Sequence, residues 1–136
     1  MTKRDLLYYE IAKSVSKTSD YHRIKIGAVI VHRRDIIAVA ANEPKSHPKQ
    51  YELNKLQYMD KNFDHCQHYL HAEMKCILRC KDTDLSRARI YIYREDMQGN
   101  LAICRPCIAC MTMIRNVGIR EIFYTTKDGY VHESLK

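Results

Sequence analysis

The strongest constraint on the fold of this chain is a pair of short motifs that have to meet in space. The first is His71-Ala72-Glu73, and the second is the run Pro106-Cys107-Ile108-Ala109-Cys110. One His and two Cys supply three ligands for a single Zn²⁺ ion, which is the number that leaves a fourth coordination position open for water. A chain that uses both motifs must therefore bring them to the same end of one domain.

The spacing within each motif favours a catalytic centre. Cys107 and Cys110 lie three positions apart after Pro106, which is predicted to occupy the first position of a helix, where both thiolates can reach one ion. Glu73 follows His71 by two positions, roughly 200° around a helix, so it is predicted to contact the zinc-bound water and to shuttle protons. A Cys-x-x-Cys pair alone is also typical of a structural zinc half-site.

Length and composition limit the class of protein. With 136 residues, the chain is expected to form one domain, spanning residues 1–136. No apolar run is long enough to cross a membrane and no signal peptide is recognised, so we expect a cytoplasmic protein. The net charge of +7 favours an anionic partner, such as a nucleotide or a nucleic acid. Three of the six cysteines form one Cys-x-x-Cys-x-x-Cys run, which favours metal binding over disulfides.

The hydrophobic pattern predicts an α/β fold. Its order is a helix, two strands, a helix, a strand, a helix, a strand and a short last strand, which predicts a mixed, largely parallel sheet covered by helices. Thr2 and Asp5 resemble a capping box at the first helix. Gly27, inside the first strand, indicates a close backbone approach or a bulge. Between residues 42 and 69 runs a long polar connection in which Pro48 could open a short helix.

The two motifs, together with several other segments, resemble the zinc-dependent cytidine/deoxycytidylate deaminase superfamily, and most closely its compact dCMP-deaminase-like members, which are often found in phages. The resemblance extends over nearly the whole chain. The segments that carry it are residues 26–31, 41–42, 45–48, 70–74, 105–110 and 118–126.

This resemblance implies a three-layer α/β/α fold with a mixed sheet of about five strands. It also implies a Zn²⁺ cofactor held by His71, Cys107 and Cys110, with Glu73 as the catalytic residue. Asn42 would hydrogen-bond the sugar of the substrate, and the backbone around Ala72 would hold the base. A homo-oligomer is expected by resemblance only, as is a host-cytoplasm location if the chain is phage-encoded.

Other residues have weaker assignments. Lys45, His47 and Lys49 could hold a 5′-phosphate, although a solvated polar loop explains any one of them about equally well. His65, Cys66 and His68 could form a second metal site, but no fourth ligand is evident and a loop is the simpler interpretation. Cys76 and Cys80 are expected to pack as small apolar residues, and Cys104 is expected to be a bystander beside the zinc site.

Three functions remain open at this point. The first is a zinc-dependent deaminase of a free pyrimidine nucleotide, with dCMP to dUMP as the favoured reaction. The second is a deaminase of cytosine or adenine bases within single-stranded DNA or RNA, which the positive charge permits. By the resemblance, we expect nucleic acid to be the less favoured partner, because the sequence predicts no counterpart of the C-terminal helices of tRNA adenosine deaminases and polynucleotide cytosine deaminases. The third is a non-catalytic, zinc-stabilised binding module, which would have no need of Glu73.

Overall fold

The structure is a computed structural model that describes residues 1–21, 24–57, 69–80 and 84–135. Within these ranges the chain forms four α-helices and seven β-strands. In chain order they are α1 (Lys3–Ser16), β1 (Lys25–His32), β2 (Asp35–Ala41), β3 (Glu43–Ser46), α2 (Pro48–Gln57), β4 (Tyr69–Leu70), α3 (Ala72–Leu78), β5 (Ala88–Glu95), α4 (Ile108–Asn116), β6 (Glu121–Thr126) and β7 (Gly129–Ser134).

The main sheet has five strands in the order β2-β1-β5-β6-β7. Only β5 and β6 pair in parallel, whereas β1–β2, β1–β5 and β6–β7 are antiparallel. The sheet is therefore mixed, as predicted, but the expectation that it is largely parallel is wrong. The reason is the position of β1 in the sheet. Strands β2 and β5 run in the same direction, and α3 lies between them in the sequence. They do not pair with each other, because β1 lies between them and runs antiparallel to both.

Helices cover both faces of this sheet, which confirms the α/β/α architecture. On one face α1 packs through Tyr8, Tyr9 and Ala12 against an aromatic cluster that includes Tyr91 and Phe123. On the other face, α3 and α4 contribute to a larger core with the buried side chains Met74, Cys76, Ile77, Ala109 and Ile114, and α2 packs against α4. Both motif-bearing helices thus lie in the same layer.

Local signals in the sequence account for the element ends. Thr2 and Asp5 form the predicted capping box, with Asp5 N donating to Thr2 Oγ1 at 3.0 Å and Thr2 N donating to Asp5 Oδ2 at 3.0 Å. Gly118 ends α4 at φ +91°, and Ile119 N donates back to Ile114 O, as in a Schellman motif. A β carbon at Gly27 would lie 2.1 Å from Ala12 O, so the predicted close approach is confirmed.

The polar connection contains more structure than the sequence indicated. Pro48 begins α2, as predicted, and β3 pairs with β4 in a separate two-stranded sheet that was not predicted. This small sheet joins the segment after Asn42 to the strand that leads into His71. None of the described helices is long and apolar enough to cross a membrane. The cytoplasmic location stays a prediction.

Candidate active site

The site forms where two helices begin. His71 is the N-cap residue of α3 and Cys107 is the N-cap residue of α4, and neither side chain caps its own helix. Ser, Thr, Asp and Asn are the usual N-cap residues, so His and Cys here leave the helix ends less well satisfied. Pro106 precedes the N-cap, so its predicted place at the first helical position is wrong. His71 also lies outside α3, so the predicted angle between it and Glu73 does not apply.

The three predicted zinc ligands lie together. His71 Nδ1 lies 3.2 Å from Cys110 Sγ and 3.6 Å from Cys107 Sγ. All three ligand atoms lie within 4.8 Å of one another. Tetrahedral zinc with ordinary Zn–N and Zn–S bond lengths separates such atoms by roughly 3.5–3.8 Å. These residues therefore fit a zinc ion, which the chemistry of one imidazole and two thiolates also favours.

Glu73 lies beside these ligands and is almost entirely buried, with 4% of its surface exposed. Its Oε1 atom is buried and has no hydrogen-bond partner among the described residues. Burial raises the pKa of Glu73, and the neighbouring imidazole of His71 offsets that effect only in part. An unsatisfied carboxylate oxygen is costly in the interior, so its position beside three metal ligands fits a role toward water or substrate.

The electrostatics of the ligands favour a cation. The hydrogen bond with Cys110 and the contact with His71 lower the pKa of Cys107 to about 4, against the effect of burial. The hydrogen bond between the two cysteines, together with burial, raises the pKa of Cys110 well above its usual value. Burial alone would lower the pKa of His71, but the Cys107 thiolate and Glu73 outweigh it and raise that pKa. A bound Zn²⁺ ion would neutralise the Cys107 thiolate and would favour ionisation of the Cys110 thiol.

Two residues that the sequence did not single out support the site. Gln50, fully buried in α2, accepts a hydrogen bond from His71 N at 3.2 Å and donates to Asn54 Oδ1 at 3.0 Å. Lys75 in α3 forms an ion pair with Glu43 in β3. Both contacts tie the segment that carries His71 to the elements just before it. No pattern in the sequence distinguishes Gln50 from the polar residues around it.

The predicted substrate-binding residues surround the start of α3 or lie on the chain that pairs with it. Ala72 is the first residue of α3 and is fully buried between two residues of the site. Asn42 is also fully buried, and its side chain accepts from Ile26 N at 2.9 Å and donates to Ile24 O at 2.7 Å. That amide therefore holds β1 in place, and its contacts with the described residues leave one donor and one acceptor position.

Lys45 and His47 lie on the segment that follows Asn42. Lys45 is exposed in β3, and His47 is half-buried at the N-cap of α2, where its Nδ1 accepts from Lys49 N at 3.0 Å. That contact leaves Nε2 of the His47 ring for other partners. Because β3 pairs with the strand that leads into His71, this cationic segment runs alongside the entry to α3.

The remaining cysteines contribute to packing. Cys76 and Cys80 are buried in α3 and just after it, with their thiols directed to backbone carbonyls, as expected for small apolar residues. Cys104 is buried and contacts Thr125 Oγ1 at 3.2 Å, and it does not join the three-ligand group among the described residues. The possible second metal site at His65, Cys66 and His68 lies outside the described residues.

Comparisons with known proteins agree with this site. The family model described as "Cytidine and deoxycytidylate deaminase zinc-binding region" matches residues 2–126 of the chain. The "Deoxycytidylate deaminase" of Mycobacterium phage D29 is 26% identical over 129 residues, which cover 88% of this chain and 92% of that protein.

Solved structures share the fold. The apo dCMP deaminase from the cyanophage S-TIM5 superposes with a TM-score of 0.63 at 20% identity, covering 91% of this chain and 84% of that one. Cytidine deaminase from Burkholderia pseudomallei superposes with a TM-score of 0.66 at 17% identity, covering 99% and 94%. The family match extends from α1 to the end of β6 and includes Glu73 and the three residues that could hold zinc. The chain belongs to the cytidine and deoxycytidylate deaminase family, whose members are zinc-dependent hydrolases.

Proposed function

We propose that this chain hydrolyses the amino group of a free pyrimidine nucleotide, and specifically that it converts dCMP and water to dUMP and ammonia. The observation that carries the proposal is the buried Glu73 carboxylate, with its unsatisfied oxygen, beside the three converging ligands. The choice of dCMP rests on the similarity to the D29 deoxycytidylate deaminase. It is also supported by an S-TIM5 dCMP deaminase structure described as a complex with dCMP and dUMP.

In this mechanism, His71, Cys107 and Cys110 would hold the zinc ion. Zinc with three protein ligands and an open position supplies an activated water. Glu73 takes a proton from the attacking water and delivers it to N3 of the cytosine ring. The hydroxide that remains forms a bond to C4, and Glu73 then takes the second proton of that oxygen and gives it to the amino group. The C4–N bond breaks, ammonia leaves and the oxygen becomes the C4 carbonyl of dUMP. Its burial suits this role, because burial raises the pKa of the carboxyl group and so makes it a better proton acceptor.

Substrate placement follows from the residues around α3. The backbone at Ala72 would hold the base, the remaining positions on the Asn42 amide would contact the sugar, and Lys45 and His47 would hold the 5′-phosphate.

Substituting Lys45 by Ala is expected to raise KM for dCMP but not for deoxycytidine, which lacks the phosphate. An equal rise in KM for both substrates would show that Lys45 does not bind the phosphate.

The substrate class is tested with a panel of dCMP, CMP, deoxycytidine, dAMP and a short cytosine-containing single strand. Ammonia release is measured with zinc-loaded protein. We expect dCMP to be turned over with the highest kcat/KM. Turnover of the single strand alone would instead assign the chain to deamination within nucleic acid. No turnover of any member, with zinc retained, would favour the non-catalytic binding module.

We also propose that the chain forms a homo-oligomer. Apolar side chains that a monomer leaves in water support this: Leu7 on α1 is 54% exposed, and Ile108 beside the zinc ligands is 61% exposed. Sedimentation equilibrium of the zinc-loaded protein is expected to give a multiple of the 16.1 kDa chain mass. A single species at the chain mass would contradict this proposal without affecting the proposed chemistry.

A further inference from the structure

A concave site lies at the other end of the sheet from the three predicted zinc ligands. It has a cavity volume of about 420 Å³, within the range of small-molecule sites. It opens on the α1 face, between the start of α1, the turn between β1 and β2, and the first residues of β5. The zinc ligands lie beyond the opposite end of β5 and on the other face, so the two sites are separate.

Arginine dominates the lining of this cavity. Five arginines contribute to it, namely Arg4, Arg33, Arg34, Arg87 and Arg89. Among the described lining residues the one acid is Asp5, which gives the lining a net charge of +4.

The one carboxylate of the cavity is already engaged by protein groups. Asp5 is 5% exposed and accepts hydrogen bonds from Thr2 N and from the Tyr91 hydroxyl. Arg89 lies 3.6 Å from it. The other four arginines are exposed, and none forms an ion pair with a residue in the described ranges. Four guanidinium groups are therefore left to face one cavity, although like charges repel.

The turn that presents two of these arginines is conformationally unfavourable for them. His32 pairs with Asp35, so Arg33 and Arg34 form a two-residue hairpin loop, with φ values of +52° and +79°. Asn-Gly is the favoured sequence for such a turn, because side chains other than those of Gly, Asn and Asp are disfavoured at positive φ. Arginine at both positions therefore lowers the stability of the turn. Backbone strain of this kind is typical of functional sites.

We propose that this arginine-lined cavity binds a compact polyphosphate group. Arginine recognises phosphate through paired N–H donors, and several guanidinium groups around one concave site suit adjacent phosphates with three or four negative charges. The group could be free or carried by a nucleotide, because the chemistry of recognition is the same. The inference does not rest on the proposed deamination and would stand or fall separately from it.

The test uses the full-length, zinc-loaded protein with tripolyphosphate as the probe, at constant ionic strength, and isothermal titration calorimetry as the measurement. The key variant is Arg33→Asn with Arg34→Gly, which installs the preferred turn sequence and removes two charges from the cavity. The matched control is Lys17→Asn with Lys127→Asn, which removes two charges from exposed positions outside it. Zinc content is measured after each titration, because polyphosphates chelate divalent cations.

We expect the wild type and the lysine control to bind tripolyphosphate equally. The arginine variant should bind it at least tenfold more weakly. That variant should also unfold at a temperature no lower than the wild type. Tighter binding of a nucleoside triphosphate than of tripolyphosphate would show that the group is carried by a nucleotide, and the reverse that it is free.

Three results would overturn the proposal. The first is no binding of tripolyphosphate by the wild type. The second is an equal loss of affinity in both variants, which would indicate diffuse surface charge. The third is preferential binding of a short single-stranded oligonucleotide, which would assign the arginines to a nucleic-acid backbone.

Discussion

At the scale of single residues, Glu73 and its neighbours decide what the chain can do. The carboxyl group is buried, contacts the ligand cluster and has one oxygen that no described residue satisfies. A purely structural zinc site gains nothing from such a group, because an unpaired buried oxygen destabilises the fold. The arrangement is explained if the oxygen accepts and returns a proton during the reaction.

Substituting Glu73 by Gln should therefore remove activity without removing the fold. Gln has nearly the same shape but does not accept a proton at neutral pH. We expect kcat to fall by about 10³-fold, in the range of general acid–base catalysis, with zinc content and thermal unfolding close to those of the wild type. The measurement is ammonia release beside metal analysis. A variant that retains most of its turnover would exclude Glu73 as the proton shuttle.

Asp5 shows how a residue far from the zinc ligands affects stability. Burial opposes its ionisation, but hydrogen bonds from Tyr91 and Thr2 and the charge of Arg89 outweigh this and lower its pKa from the usual 3.8. A lowered pKa contributes stability above the unfolded-state value. That contribution is lost as the pH falls below 3.8 and through the folded-state pKa.

Asp5→Asn should consequently lower the free energy of unfolding by about 1–2 kcal/mol at pH 7, through the weakened cap and the lost charge-assisted bonds. The gap between variant and wild type should close as the pH falls below 3.8, where the native carboxyl group becomes protonated. Urea unfolding at a series of pH values measures it. A gap that stays constant across the series would show that the charge of Asp5 contributes nothing.

The residues of the site differ in how far the sequence could predict them. His71, Glu73, Cys107 and Cys110 stand in motifs whose spacing reflects their chemistry, and the structure brings them together. Gln50 was missed because its role is to accept a hydrogen bond from the backbone of His71, and any amide at a suitable place could do the same.

At the scale of elements, the packing of α1 on β1 depends on the absence of a side chain. A β carbon at Gly27 would lie 2.1 Å from Ala12 O and 2.5 Å from Ser16 N. Both are backbone atoms of the helix, so no side-chain rotation could relieve the clash. A single glycine thus lets α1 approach the sheet closely enough for Tyr9 and Ala12 to be fully buried.

Gly27→Ala is expected to destabilise the protein by about 3 kcal/mol, because the helix must move away from the strand. Gly99→Ala is the matched control: Gly99 has φ +86°, and a β carbon there meets nothing within 4 Å, so only the cost of positive φ remains, about 1 kcal/mol. Chemical denaturation measures both. Equal losses in the two variants would contradict the close approach as the cause.

At the scale of the whole molecule, the alternation of strands and helices predicted the layers but not the order of the strands. β2, α3 and β5 form a unit with parallel strands, as the rule for such units requires, yet β1 lies between the two strands. Either strand of the first hairpin is apolar enough for an interior position, so the pattern could not decide which one would pair with β5. The separate β3–β4 sheet is too short to produce a hydrophobic pattern.

Zinc should stabilise the whole domain, since its ligands join α3 to α4. Removing it with a chelator leaves the ligands and the buried Glu73 without a counter-charge. We expect the free energy of unfolding to fall by about 4 kcal/mol relative to protein with free zinc a thousandfold above its Kd. Differential scanning calorimetry with and without chelator measures this. A Cys107→Ser variant should respond much less, and an unchanged wild type would contradict a zinc site at these residues.

The central claim is hydrolysis of dCMP by Glu73 at the zinc site, and its most direct test is product analysis in oxygen-18-labelled water. Zinc-loaded wild type and the Glu73→Gln variant are incubated with dCMP, and the nucleotide is examined by mass spectrometry. We predict dUMP that carries one labelled oxygen in its base, with an equimolar amount of ammonia, from the wild type alone. Unchanged dCMP from fully zinc-loaded wild type, or equal product from both proteins, would contradict the account.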